Sequence, residues 1–173
     1  VKEMNFKMNI ILHEPEIPQN TGNIGRTCVA TGTSLHLIEP LGFKIDDKSL
    51  KRAGMDYWKD LDVHYYTNFQ DFLNKNPNAN IYMATTKALN TYSDIKFKDD
   101  DFIMFGSEGS GIPEEILLHY KDNSIRIPML EQYRSLNLSN SVAIVLYEAL
   151  RQNSFKGCQM EGHLHRHSWS EAE

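Results

Sequence analysis

An α/β fold, with a mostly parallel sheet and helices on both faces, is the class this sequence predicts, and three observations predict it. Apolar runs recur at strand length: Met8–Leu12, Leu35–Ile38, Val63–Tyr66, Ile81–Ala84, Phe102–Phe105 and Ile125–Ile127. Each is mostly continuous rather than alternating, the pattern of strands covered on both faces. Helix-patterned segments fall between them, and strand–helix alternation is the signature of a parallel sheet. The stretches after Leu12, Ala84, Phe105 and Ile127 are the ones richest in Gly, Pro, Asn and Ser. In such sheets ligands bind beyond the carboxyl ends of the strands.

Taken in order, Met8–Leu12 leads through HEPEIPQN into a helix over Asn20–Thr31, with Ile24, Cys28 and Thr31 on its small or apolar side. After the strands at Leu35–Ile38 and Val63–Tyr66, Asn68 is an N-cap candidate for a helix to Asn74 that carries Phe69, Phe72 and Leu73. Beyond Phe102–Phe105, Pro113 starts a helix with Glu114 and Glu115 in its first turn, where the macrodipole favours negative charge. After Ile125–Ile127 the last helix spans about Ser139–Asn153, with Ser139 able to cap it and Val142–Leu150 nearly apolar all round.

A chain of 173 residues is long enough for one domain with a substantial core. No apolar run approaches the roughly 20 residues of a membrane span, and the amino-terminal stretch lacks a secretory pattern. Cys28 and Cys158 are far apart and without metal-type spacing, which reads as two reduced thiols in a cytoplasmic protein with no metal. The net charge of −5 does not advertise nucleic-acid binding. A local patch at Lys44, Lys48, Lys51 and Arg52 can still supply phosphate contacts, or can be a solvated helix face.

Three loops carry the chemistry. In GSEGSGIP, Gly106, Gly109 and Gly111 permit close backbone approach, but the spacing matches neither the dinucleotide nor the phosphate-loop fingerprint, and a plain tight turn is the alternative. In PQNTGNIGR, Asn20 and Asn23 suit turns or caps, and Gly22 and Gly25 suit close packing. Arg26 is a permanent, forked donor placed to project back toward the loop mouth. In YRSLNLSNS, capping explains one or two polar residues and leaves Arg134, Ser135 and Asn137 as ligand-facing candidates.

The blocks NTGNIGRTC (Asn20–Cys28), FGSEGSGIP (Phe105–Pro113) and IPMLEQYRSLNLSNSVAIVLYE (Ile127–Glu148), in this order, resemble the SPOUT class of RNA methyltransferases. Within it they are most similar to the small single-domain enzymes that methylate the ribose 2′-oxygen of the wobble cytidine or uridine of tRNA. Agreement in LHEPEIPQN, IEPLGF, KRAGMDYW and TTK extends the likeness over about residues 8–153.

The resemblance implies a carboxyl-terminal deep trefoil knot, which general connection rules would not suggest. It also implies a homodimer and S-adenosylmethionine as methyl donor. Residues 1–155 would be the methyltransferase domain and 156–173 a flexible tail, whose His163, His165 and His167 form only a low-specificity metal pattern.

By the same resemblance, the donor would be held by Ala84, Thr85, Gly106, Glu108, Ile127, Met129, Ser135, Leu136 and Asn137. Ile127 and Met129 have core packing as an alternative role. Arg26, Asn137 and Ser139 are the catalytic candidates. An arginine is a poor base at neutral pH, so Arg26 would orient the nucleotide and stabilise oxyanion charge.

Lys44, Lys48, Lys51, Arg52, Lys87 and Arg134 are the candidates for contact with the tRNA anticodon stem-loop. Tyr57, Trp58 and Tyr133 are either base-stacking platforms or core. Two other functions stay open: a related 2′-O-methyltransferase acting elsewhere on tRNA or on rRNA, and a non-catalytic RNA-binding protein of the same fold.

Overall fold

Side chains alternate between two buried layers along the central strands, and this decides where the helices pack. The computed structural model describes residues 6–46, 48, 52 and 57–172. Its strands are β1 (Asn9–His13), β2 (Ser34–Ile38), β3 (Val63–Tyr66), β4 (Ile81–Ala84), β5 (Asn90–Thr91), β6 (Phe102–Phe105) and β7 (Ser124–Arg126). They form one sheet in the order β3-β2-β1-β6-β4-β7-β5, with parallel pairing throughout.

Ile10 and Leu12 of β1, with Ile103 and Phe105 of β6, face one layer. It is completed by Ile24 and Cys28 of α1 (Pro18–Thr31) and by Val142, Val145, Leu146 and Ala149 of α4 (Leu138–Gln152). The intervening Ile11, Phe102 and Met104 face the other layer, against Phe72 of α2 (Phe69–Lys75) and Ile116 of α3 (Glu114–Leu117). The two-residue period of a strand thus yields helices on both faces. Each fully buried Leu or Ile contributes about 1.5–3 kcal/mol.

The element ends follow local chemistry. Asn68 caps α2, its Oδ1 accepting the Asp71 N–H at 2.8 Å. Gly32 ends α1 in the left-handed region at φ 65°, a conformation a Cβ would strain. At the end of α4, Gln152 donates to the Ile95 carbonyl at 2.8 Å and accepts the Phe97 N–H at 2.9 Å. Those bonds satisfy the Ile95–Phe97 backbone, which has no strand partner.

Three sequence expectations shift. β3 is not covered on both faces: it is the edge strand, and Tyr65 is 39% exposed. The two-residue β5 carries no apolar run and was not foreseen. α4 starts at Leu138, and its cap is Asn137 rather than Ser139, with Asn137 Oδ1 accepting the N–H groups of Ser139 and Asn140.

The register places the site. Ala84 lies opposite both Phe105 and Ile125. The carboxyl ends of β6, β4 and β7 therefore stand side by side, and the loops leaving them meet.

Candidate cofactor pocket and active site

Those loops enclose a pocket of about 630 Å³. It is bordered by Ala84, Thr85 and Lys87 after β4, by Gly106 to Ile112 after β6, and by Ile127, Met129 and Arg134 to Leu138 after β7. All nine residues named above for the donor lie on its wall: Ala84, Thr85, Gly106, Glu108, Ile127, Met129, Ser135, Leu136 and Asn137. Asn20 and Ile17, from the start of α1, complete it. Sequence reasoning read Asn20 only as a turn or cap residue.

The β6–α3 loop turns back on itself. The Gly111 N–H donates to the Ser107 carbonyl at 2.9 Å, and the Ser110 N–H donates to Ser107 Oγ at 3.2 Å. A Cβ on Gly106 would fall 2.0 Å from the Gly111 carbonyl carbon, so only glycine permits this closure. Gly111 itself sits at φ 68°.

Glu108 reaches out of this loop to α1. That helix begins with Pro18 and has no side-chain cap of its own at Ile17. Glu108 supplies one from 91 and 92 residues away: Oε2 accepts the Glu16 N–H at 2.8 Å and Oε1 accepts the Ile17 N–H at 3.1 Å. A carboxylate there also complements the positive end of the helix dipole. Oε1 further accepts from Asn20 Nδ2 at 3.3 Å. The carboxylate is thus engaged by α1 while it also borders the pocket, so Glu108 organises the loop at the pocket wall.

The same polar string continues to α4. Asn20 Oδ1 accepts from Asn137 Nδ2 at 3.2 Å, and Asn137 Oδ1 accepts from Ser139 Oγ at 2.6 Å. Ser139 is not on the pocket wall. Its neighbour Ser141 is, and its Oγ donates to the Asn137 carbonyl at 3.1 Å.

Arg26 is not brought into this pocket. It is exposed, and its Cζ lies 4.9 Å from the centroid of the Tyr57 ring. Six residues of helix rotate it about 240° from the pocket-lining Asn20, so the two face different ways. The expectation that it projects back to the loop mouth fails on helix geometry.

Among the basic candidates, Arg134 and Lys87 border the pocket, and Lys87 Nζ pairs with Glu114 Oε1 at 3.1 Å. Lys44, Lys48 and Arg52 are exposed and stand outside the pocket wall. Lys51 lies outside the described residues. Tyr133 is 63% exposed, whereas Trp58 packs against the α1–α4 layer.

The wall offers backbone groups, serine and threonine hydroxyls, two asparagine amides, apolar side chains and the charged Lys87, Glu108 and Arg134, without a His, Asp or Cys among the described residues lining it. Such a surface holds and orients a ligand.

Residues 7–147 match the SpoU rRNA Methylase family. A protein of Saccharophagus degradans named tRNA (cytidine(34)-2′-O)-methyltransferase is 46% identical over 150 residues, which cover 86% of this chain and 97% of that one. A solved structure described as giving structural insights into the 2-OH methylation of C/U34 on tRNA is 39% identical, with TM-score 0.83 over 86% of this chain and 97% of its own. The AdoMet-bound rRNA methyltransferase of Sinorhizobium meliloti shares the fold at 24% identity, with TM-score 0.76 over 87% of this chain and 58% of that chain. With the match running through all three pocket loops, the chain belongs to the SpoU rRNA Methylase family.

Proposed function

We propose that this chain is a tRNA methyltransferase that transfers a methyl group from S-adenosylmethionine to the ribose 2′-hydroxyl of cytidine or uridine at position 34. One observation carries the reading: near full-length likeness to a methyltransferase named for that nucleotide coincides with convergence of the three matched loops on one pocket.

The pocket residues fit the donor. A volume of about 630 Å³ lies within the roughly 300–1,000 Å³ range of small-molecule sites, and the walls are backbone-rich loops at strand carboxyl ends. Ala84, Thr85, Gly106, Glu108, Ile127, Met129 and Ser135 to Asn137 would hold it. When bound, it supplies a methyl group already activated on a sulfonium. The chain's own task is then positioning, which needs no side-chain nucleophile.

Arg26 orients the nucleotide's phosphate and 2′-oxygen and stabilises negative charge developing on that oxygen. Because it faces away from its own pocket, it serves the pocket of a second copy in a homodimer. The exposed Ile144 and Tyr147 on α4, at 37% and 47%, support a partner on this side of the molecule. Asn137 and Ser139 keep the α4 terminus and Asn20 in place.

The carboxyl-terminal segment is proposed to be knotted. β7 lies between β4 and β5, so the connection from Thr85 to Leu89 must cross it. Residues 1–155 act as the methyltransferase unit, with 156–173 appended. The chain works in the cytoplasm on the tRNA anticodon stem-loop, contacting its backbone through Arg134, Lys87 and the Lys44–Arg52 stretch. No helix among the described residues is long and apolar enough to cross a membrane.

The test is calorimetry with S-adenosylmethionine, followed by methylation of total tRNA and rRNA with nucleoside mapping. Label at the 2′-oxygen of nucleotide 34 is the expected result; label only elsewhere, or none, rejects it. Arg26→Ala should abolish transfer while leaving donor affinity within about twofold, since Arg26 does not line the chain's own pocket. Retention of most activity removes Arg26 from the mechanism.

A further inference from the structure

We propose that Tyr57 is a positioning residue for Arg26, its ring pinning the guanidinium on the outward side of α1 in the geometry that methyl transfer uses. The inference rests on the role assigned to Arg26 above.

The Arg26 Cζ to Tyr57 ring distance of 4.9 Å falls within the roughly 6 Å over which a cation is drawn to an aromatic face. Among the described residues Arg26 takes part in no ion pair. Among the described residues, the ring is the partner that orients it. A free arginine samples many rotamers, and holding it before substrate arrives lowers the entropy lost when it engages the nucleotide.

The stack rests on a built seat. A Cβ on Gly25 would approach the Trp58 ring to 3.0 Å and the Leu61 side chain to 3.4 Å. Residues Trp58 and Leu61 thus lie directly on α1 one position before Arg26. Leu61 is buried, and Trp58 packs against the layer shared by α1 and α4. Tyr57 by contrast is 38% exposed. Its ring is not required to fill the core, so its contact with Arg26 is a function the packing leaves free. Neither Tyr57 nor Arg26 lines the chain's own pocket, so donor binding is insulated from the stack.

Tyr57→Leu removes the aromatic face and keeps apolar bulk, whereas Tyr57→Phe keeps the face and removes the hydroxyl. The expected result is a kcat on tRNA about tenfold lower for Tyr57→Leu, with donor affinity within twofold of the parent and Tyr57→Phe within twofold in both. Tyr57→Gln, suited to a half-exposed position, should match Tyr57→Leu. The Arg26 Nε–H resonance should move in the Leu and Gln variants, which lose the ring current, and hold in Phe.

Parental kcat in Tyr57→Leu overturns the proposal. So does a Phe variant as slow as Leu, or a Leu variant whose donor affinity falls in parallel with kcat. The two readings separate cleanly. An active Arg26→Ala enzyme rejects the role of Arg26, whereas an inactive Arg26→Ala beside a fully active Tyr57→Leu rejects the positioning role of Tyr57 alone.

Discussion

The Asn137 side-chain N–H donates to Asn20 Oδ1 at 3.2 Å, joining residues 117 positions apart. Asn20 passes the interaction on, its Nδ2 donating to Glu108 Oε1 at 3.3 Å. Both amides use their two ends in opposite senses, so the string has a fixed direction. It ties the start of α1 and the loops after β6 and β7 into one unit around the pocket.

That direction makes Asn20→Asp more damaging than Asn20→Ala. Aspartate can still accept from Asn137, but it cannot donate to Glu108 and sets a second carboxylate against the first. The alanine variant leaves Glu108 its two backbone donors. Donor affinity is expected to fall severalfold in Asn20→Ala and by about a further 1 kcal/mol in Asn20→Asp. Calorimetry checks the order, and equal losses would show that the string has no such polarity.

Glu108→Gln keeps the shape of the side chain and removes its charge from the start of α1. One amide oxygen can replace at most one of the two carboxylate acceptors. Stability is expected to drop by about 1 kcal/mol in urea unfolding. Amide exchange at Glu16 and Ile17 should rise, because α1 has no other side-chain cap at this end. Unchanged protection at those two amides would contradict the capping role.

Gly106→Ala tests the closure of the β6–α3 loop. Its methyl group would sit 2.0 Å from backbone of Gly111, which a side-chain rotation cannot relieve. The loop must open, and Glu108 moves with it. The expected outcome is loss of donor binding by at least tenfold with a far-UV spectrum unchanged, since the strands and long helices lie outside the turn. A variant that still binds normally would mean the closed turn is dispensable.

How legible each of these features was follows from the range of the forces behind it. The strands at Ile81–Ala84 and Phe102–Phe105 were readable to the residue, because two-sided burial demands continuous apolar side chains. β5, with Asn90 and Thr91, was not, since its place at the sheet edge comes from pairing with β7 and leaves no local pattern. The Glu108 cap joins residues 91 and 92 positions apart, and no window of sequence contains both ends. Arg26 was misplaced for a different reason. Its direction relative to Asn20 follows from counting residues around α1, and proximity in the chain was taken for proximity in space. The choice of Asn137 over Ser139 as the α4 cap turned on which of two suitable side chains stood at the last extended residue.

His36 supplies the pH dependence. It is buried at 4% exposure, and its surroundings fix one tautomer. Asn9 Nδ2 donates to Asp100, so Asn9 Oδ1 is left to accept the His36 Nε2–H at 3.1 Å. His36 Nδ1 then accepts the Tyr66 O–H at 2.9 Å. Burial, reinforced by nearby His64, pushes the imidazole down to about 3. In the unfolded chain it titrates near its ordinary value of about 6.5. Above that value both states are neutral. As the pH falls below it, the unfolded chain takes up a proton that the folded one refuses, so stability is lost through the window from about 6.5 down to about 3. The His36 share of the loss between pH 7 and pH 5 is about 2 kcal/mol. His13, also lowered by burial, acts in the same direction. Asp62 is held down to about 2, chiefly by the Ser34 hydroxyl, and its contribution is lost only at more acid pH. Urea unfolding at the two pH values should therefore show a steep difference in the parent and a smaller one in His36→Gln, whatever that variant's stability at pH 7. Equal differences in the two proteins would mean that the buried imidazole is not what acid attacks.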